Sequence, residues 1–422
     1  MEPILLLKSS KVILHRVPDV FAPGPNLCRE LDNDLSVNTD IDAIMKFLSI
    51  KESVKNTISA YCKEVETFLL WLEQKNISFT AFTTDDCVAY SDFLNNPKPL
   101  KNWVGTIQKK ILIDDSINPK WRPFRKSSRS NASVRSSLRK IHTLYRFLKS
   151  NCYLYKNPVP AYLMKDDSLS ELESRYNSKT LSPQLTRFIL KVLAQKTDYD
   201  LFSYSCFEAN RAFLIIYILL EFGLKITELS NLKNSDVISL ENELCLKLTG
   251  SNERYIKLNS NQFNVIDSQL VYMADYFDIE SDVITPLVSN TYKLKEVTTR
   301  QISTIIGSTL MDVSKVIIQN QSIYENTTYK KYFTDDIEKC QMATAQWLRN
   351  SFGTAKVESK SMRPIEAMKT LGNNVPLSVI LYHVNSVKIA GNFTDKHRQD
   401  IENIYDQMVE NESKQLKQFC TN

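Results

Sequence analysis

Along most of this chain apolar residues recur every three or four positions, the spacing of one face of an α-helix. From Lys55 the stripe Ile58, Tyr61, Val65, Phe68, Leu69 and Leu72 predicts an amphipathic helix ending near Gln74. Val134, Leu138, Ile141, Tyr145 and Leu148 predict another, closed by Asn157-Pro158. Glu208 to Phe222 is apolar nearly all round, as a helix enclosed by core should be. Only 8 glycines occur in 422 residues, so little interrupts this pattern. The period drops to two in one place. Leu244, Leu246 and Leu248 alternate, Gly250-Ser251-Asn252-Glu253 turns, and Tyr255, Ile256 and Leu258 follow, which is the pattern of a β-hairpin. The expected fold is mainly α with a small β-sheet or hairpin, an α+β class.

The length exceeds one compact domain. Residues 1–50 read as an N-terminal arm, with Ala22-Pro23-Gly24-Pro25 as punctuation and a short helix near 40–49. Residues 51–162 read as a small helical domain, in which Thr83-Thr84-Asp85-Asp86 starts a helix and Asn95 to Asn131 is a long polar connection. A linker rich in Asp, Glu and Ser, 163–181, leads to a second domain at 182–394. Within it the polar stretch from Gln319 to Asp336 reads as an inserted loop. Residues 395–422 read as a C-terminal helical tail, spaced by Ile401, Ile404 and Met408, that outlasts the domain core.

Hydrophobic residues make up 43% and charged residues 24%, an ordinary globular balance. Eight cysteines are scattered without a Cys-x-x-Cys pair, which predicts reduced, mostly buried thiols. The four histidines are equally dispersed, so neither a zinc site nor any other metal site is expected. The apolar run at the N-terminus is too short for a secretory signal, and the longest run, Ala212 to Leu220, is far shorter than a membrane span. The expectation is a soluble cytoplasmic protein.

The net charge of +5 is mild, and its distribution says more. Between Ser116 and Lys165 there is no Asp or Glu, while Arg122, Arg125, Lys126, Arg129, Arg135, Arg139 and Lys140 fall in that window. Such segregation makes a field of one sign. Arg135 and Arg139 stand one helical turn apart, a spacing suited to phosphates of one DNA strand. A solvated basic face, or a surface for RNA or lipid, are the other readings of the same residues.

Five segments of the second domain follow one another in a set order. Gly223-Leu224-Lys225-Ile226-Thr227-Glu228-Leu229 comes first and the hairpin second. Gln346-Trp347-Leu348-Arg349-Asn350-Ser351-Phe352-Gly353-Thr354 follows, with Leu371-Gly372-Asn373 and Leu381-Tyr382-His383-Val384 beyond it. Taken with the helical domain before them, these segments resemble the tyrosine recombinase (phage integrase) family over about residues 50–395. The resemblance implies a helical core-binding domain and a catalytic domain forming a C-shaped clamp on double-stranded DNA. It also implies site-specific recombination or integration for a mobile genetic element, without cofactor, through a 3′-phosphotyrosine.

By that resemblance Tyr382 is the nucleophile, Arg349 one phosphate-binding cation, and Lys225 stands where the family carries its first arginine. Arginine suits a phosphate because its planar fork makes two charge-assisted hydrogen bonds, which a lysine cannot reproduce. Three further family positions are substituted. Thr249 replaces the hairpin lysine, for which Lys247, Arg254 or Lys257 are stand-ins. Gln346 replaces a histidine, and Asn373 replaces a histidine or tryptophan. His383 is a candidate proton relay, although neighbouring helical side chains diverge by about 100°. The family acts as tetramers on paired DNA sites, which implies a homo- or hetero-oligomer, a nucleoid-associated location, and a tail from Asp395 to Gln418 docked on a neighbouring protomer. The substitutions also allow a second reading, a catalytically impaired DNA-binding partner subunit of a recombinase complex.

Overall fold

The structure, a computed structural model, describes residues 6–8, 11–13, 21–28, 35, 37, 39–51, 55–107, 110, 118–165, 179–197, 201–250, 253–280, 283–290, 293–359, 361–372 and 395–420. The chain forms two compact units, Met1–Asp166 and Asp167–Asn422. Asn373, Tyr382 and His383 lie outside the described residues.

The first unit carries a short antiparallel pair, β1 (Leu6–Lys8) and β2 (Lys11–Ile13), and is built on helices α1 (Asp40–Ile50), α2 (Lys55–Lys75), α3 (Thr84–Asn95), the one-turn α4 (Leu100–Trp103) and α5 (Asn131–Ser150). All five apolar positions read from the α5 stripe are buried, as are Val65, Phe68, Leu69 and Leu72 of α2. Thr83 caps α3 as the sequence indicates: its hydroxyl accepts from the Asp86 amide, and the Asp86 carboxylate accepts from the Thr83 amide. Aromatic rings fill the centre. Phe68 meets Phe82 edge to face at 4.9 Å, and Tyr145 stacks on Phe79 at 4.9 Å while its hydroxyl donates to the Phe79 carbonyl.

Parts of the segment read as an arm share this core. Ala43, Ile44, Phe47 and Leu48 of α1 are buried in it, and the Tyr153 hydroxyl donates to Asp40 at 2.6 Å. Asn26 exchanges two hydrogen bonds with the backbone of Lys156. Gly24 sits so close to the chain at 80–81 that a Cβ there would lie 2.5 Å from the Ala81 nitrogen.

At the centre of the second unit is α7 (Tyr204–Phe222), buried along most of its length. Around it pack α6 (Pro183–Ala194), α9 (Ser260–Phe277), α10 (Thr299–Gln319) and α13 (Ala345–Glu358). The hairpin is present as β4 (Glu243–Leu248) and β5 (Arg254–Lys257), joined by β3 (Val237–Leu240) in an antiparallel sheet of order β3-β4-β5. Leu246 pairs with Val237 on one side and Ile256 on the other, so its side chain enters the core. The fold is thus mainly helical with a small antiparallel sheet.

Three expectations are corrected. The stretch from Gln319 to Asp336 is not an inserted loop. It contains the one-turn α11 (Gln321–Tyr324) and the start of α12 (Lys330–Met342). Tyr324, Phe333, Asp336 and Cys340 are all buried, and α12 packs on α10. Aromatic anchors set widely among polar residues hide that periodicity. Thiol burial is also less general than expected: Cys87, Cys245 and Cys340 are buried, Cys28, Cys62 and Cys206 are partly covered, and Cys152 is exposed.

The third correction concerns the tail, which does not outlast the core. Helix α15 (Asp395–Cys420) buries Ile401, Tyr405 and Met408 in the core of its own unit. Tyr405 stacks on Phe188 at 4.4 Å and donates to the buried Asp336 at 2.6 Å. A row of ion pairs, Glu402 with Arg187, Asp406 with Lys191 and Glu412 with Lys196, joins α15 to α6 and the turn after it.

Candidate active site

The site begins where α7 ends. Gly223 closes the helix with φ +61°, and a Cβ there would lie 2.5 Å from both Leu371 and Phe352. Only glycine allows this turn and this packing together. Lys225 then precedes the short helix α8 (Ile226–Asn231), and the Glu228 carboxylate accepts the Lys225 amide at 2.7 Å. The sequence Gly223 to Glu228 thereby sets a lysine and a glutamate at one helix start.

Arg349 arrives from α13 and is 3% exposed. Its guanidinium donates to the carbonyl of Gly223 at 2.5 Å and to that of Leu371. Leu371 follows helix α14 (Pro364–Thr370), and Gly372 (φ +60°) ends the described turn. Lys225 Nζ lies 3.4 Å from the Gly372 carbonyl and 4.0 Å from Glu228. Arg349 and Lys225, which the sequence places 124 positions apart, are therefore held against one turn.

Arg254 of β5 completes the cluster. Its fork grips Glu228 with Nη1 to Oε1 at 2.9 Å and Nη2 to Oε2 at 3.0 Å, while Nε donates to the Thr370 carbonyl at 2.6 Å. Three successive carbonyls, of Thr370, Leu371 and Gly372, thus each receive a different cation. This suits the negative end of a helix. Burial alone would raise the pKa of Glu228. Hydrogen bonds from Arg254 and the Lys225 amide, with the charges of Arg254 and Arg349, outweigh that and hold it below the ordinary glutamate value.

The stand-ins for the hairpin lysine separate clearly. Lys257 pairs with Glu243 at the far end of the sheet and is remote from the site. Lys247 and the exposed Thr249 line a cleft of about 180 Å³ with Lys225, Thr227, Glu228 and Asn231. Lys247 is half-exposed there, 3.8 Å from Glu253. Gln346 is exposed, one turn before Asn350 on α13, and donates to it at 2.8 Å. Arg254 was open to sequence reasoning as a hairpin cation, but its pairing with Glu228, 26 positions away, leaves no local signature.

In the first unit the basic residues divide. Arg125 and Lys126 are exposed, and Arg135 and Arg139 stand one turn apart on α5. Arg139 also donates to the Met164 carbonyl at 2.8 Å, and Lys140 to Ser136 at 3.1 Å. Arg122 is engaged by the carbonyls of Lys101, Pro119 and Trp121. Arg129 pairs with the buried Glu64 and donates to Ser137. A groove of about 1110 Å³ runs past Lys63, Lys110, Trp121, Arg125 and Lys126. Among the described residues no group of His, Cys, Asp or Glu could hold a metal ion, and no helix is long and apolar enough to cross a membrane.

No family model matches the chain. The chain is similar to tyrosine recombinase XerD of Rickettsia bellii (strain RML369-C), 26% identical over 224 residues, covering 51% of this chain and 59% of that protein. By structure it is similar to XerH site-specific recombinase bound to palindromic difH substrate in a post-cleavage complex, with TM-score 0.51 and 12% identity over 86% of this chain and 90% of that one. It is also similar to the Tn1549 transposon integrase in complex with transposon right end DNA, with TM-score 0.50 and 14% identity over 86% and 98%. The chain has the fold of these recombinases. Within that fold Arg349, Lys225 and Arg254 converge as described, and the match to XerD spans 59% of that relative's length.

Proposed function

We propose that the protein binds double-stranded DNA and recombines or integrates it site-specifically through a covalent 3′-phosphotyrosine. The observation that carries this reading is the convergence of Arg349, Lys225 and Arg254 on one turn, ten positions before Tyr382 in sequence. The Tyr382 oxygen forms a bond to phosphorus as the bond to the 5′-oxygen breaks. The proton lost by the phenol is balanced by one gained at the leaving oxygen. A DNA 5′-hydroxyl then reverses the step, so bond energy is conserved and no cofactor is needed. Arg349 and Lys225 stabilise the charge on the non-bridging oxygens.

Exposed Arg125 and Lys126, with Arg135, Arg139 and Lys140 on α5, contact DNA phosphates, while Arg122 and Arg129 brace that surface from within. The protein works as an oligomer on paired sites. The exposed Thr249 and Gln346, where the family carries a lysine and a histidine, favour a second reading: a DNA-binding partner of an active recombinase. Incubation with duplexes carrying a nick near the scissile phosphate distinguishes the two. An adduct formed by the wild type and abolished by Tyr382→Phe supports the enzyme. Binding without an adduct on the element's own sites supports the partner subunit.

A further inference from the structure

The charge count at the site is three cations, Lys225, Arg254 and Arg349, around one carboxylate, Glu228. Arg254 and Glu228 are each 12% exposed, and both carboxylate oxygens accept from the Arg254 fork. Lys225 is more open, at 39%, and stands 4.0 Å from the same carboxylate, beyond a direct hydrogen bond. A carboxylate this buried needs a counter-charge. Without Arg254 the nearest replacements are Lys225 and Arg349. Either would turn toward Glu228, and the positive surplus at the site would fall from two charges to one.

Resting on the reading of this site as a phosphodiester site, we propose that Arg254 is a positioning residue acting through Glu228: it takes both carboxylate oxygens so that Lys225 and Arg349 keep their charge directed at a DNA phosphate. Its charge is matched by the Glu228 carboxylate, whereas Arg349 donates to the neutral carbonyls of Gly223 and Leu371. A Cβ on Gly372 would lie 2.9 Å from Arg254 Nη1, so the same side chain also fixes the turn to which Lys225 and Arg349 donate. This role accounts for an arginine on the hairpin although Thr249 stands at the lysine position.

The test uses the full chain, a random-sequence duplex of about 30 base pairs, and fluorescence anisotropy over a range of salt concentrations. Arg254→Met should weaken binding about tenfold, the size of one charge-assisted hydrogen bond, and reduce the salt slope by about one. Glu228→Gln should tighten binding, and the double variant should return to the wild-type affinity and slope even if its thermal midpoint stays low. A merely structural pair lowers the thermal midpoint without moving the salt slope and gives no tighter binding by Glu228→Gln, because the slope counts cations facing phosphate. Lack of rescue, or weaker binding by Glu228→Gln alone, overturns the proposal, and the single Glu228→Gln variant keeps it testable if Arg254→Met does not fold. Failure of the wild type to bind any duplex overturns the DNA reading beneath it instead.

Discussion

Gly223 shows how closely single residues tie fold to chemistry in this protein. Its positive φ ends α7, its missing side chain admits Leu371 and Phe352, and its carbonyl receives Arg349. Gly223→Ala forces either a strained backbone or a shifted turn, and the expected loss is about 1–3 kcal/mol. Thermal denaturation checks this, and an unchanged midpoint would mean that the turn is not as tightly packed as described. At the same scale, much of the site is legible in the sequence. Arg349 stands out because its segment has a recognisable order, whereas Arg254 depends on a partner from another element. Side chains that act through long-range pairing carry no local pattern.

Elements differ in legibility for a related reason. Helices α2 and α5 carry one continuous apolar stripe each, so their sequence alone marks their buried faces. Helix α12 relies on Phe333, Asp336 and Cys340, and the polar residues between them disguise it as a loop. The tail helix is the opposite case: its stripe is visible, but its partner is not. Tyr405, buried between Phe188, Phe333 and Asp336, ties α15 to α6 and α12. Tyr405→Ala is expected to cost about 3 kcal/mol, measured by chemical denaturation of the isolated chain at low concentration. A tail that docked solely on another protomer would leave the stability of the dilute chain unchanged.

At the scale of the whole molecule, both units contain buried carboxyls that make stability depend on pH. Burial raises the Glu66 pKa to about 7, with Lys110 offsetting part of the effect, and raises that of Asp336 to about 6. A carboxyl that holds its proton more tightly when folded favours the folded state at low pH. Its contribution falls as pH rises through the interval between the unfolded and folded values, from about 4 to about 7. Glu66→Gln mimics the protonated form, so its thermal midpoint should gain on that of the wild type between about pH 5 and pH 8. A constant gap across that range would rule out an ionised, buried Glu66.

The central claim of the proposed function is that this chain forms a covalent bond to DNA through Tyr382. The most direct measurement is to trap the chain on nicked duplexes that it binds, digest the adduct, and locate the nucleotide-bearing peptide by mass spectrometry. The account predicts a phosphonucleotide on Tyr382, absent from Tyr382→Phe. A phosphonucleotide on any other residue, or an adduct that survives Tyr382→Phe, would contradict it.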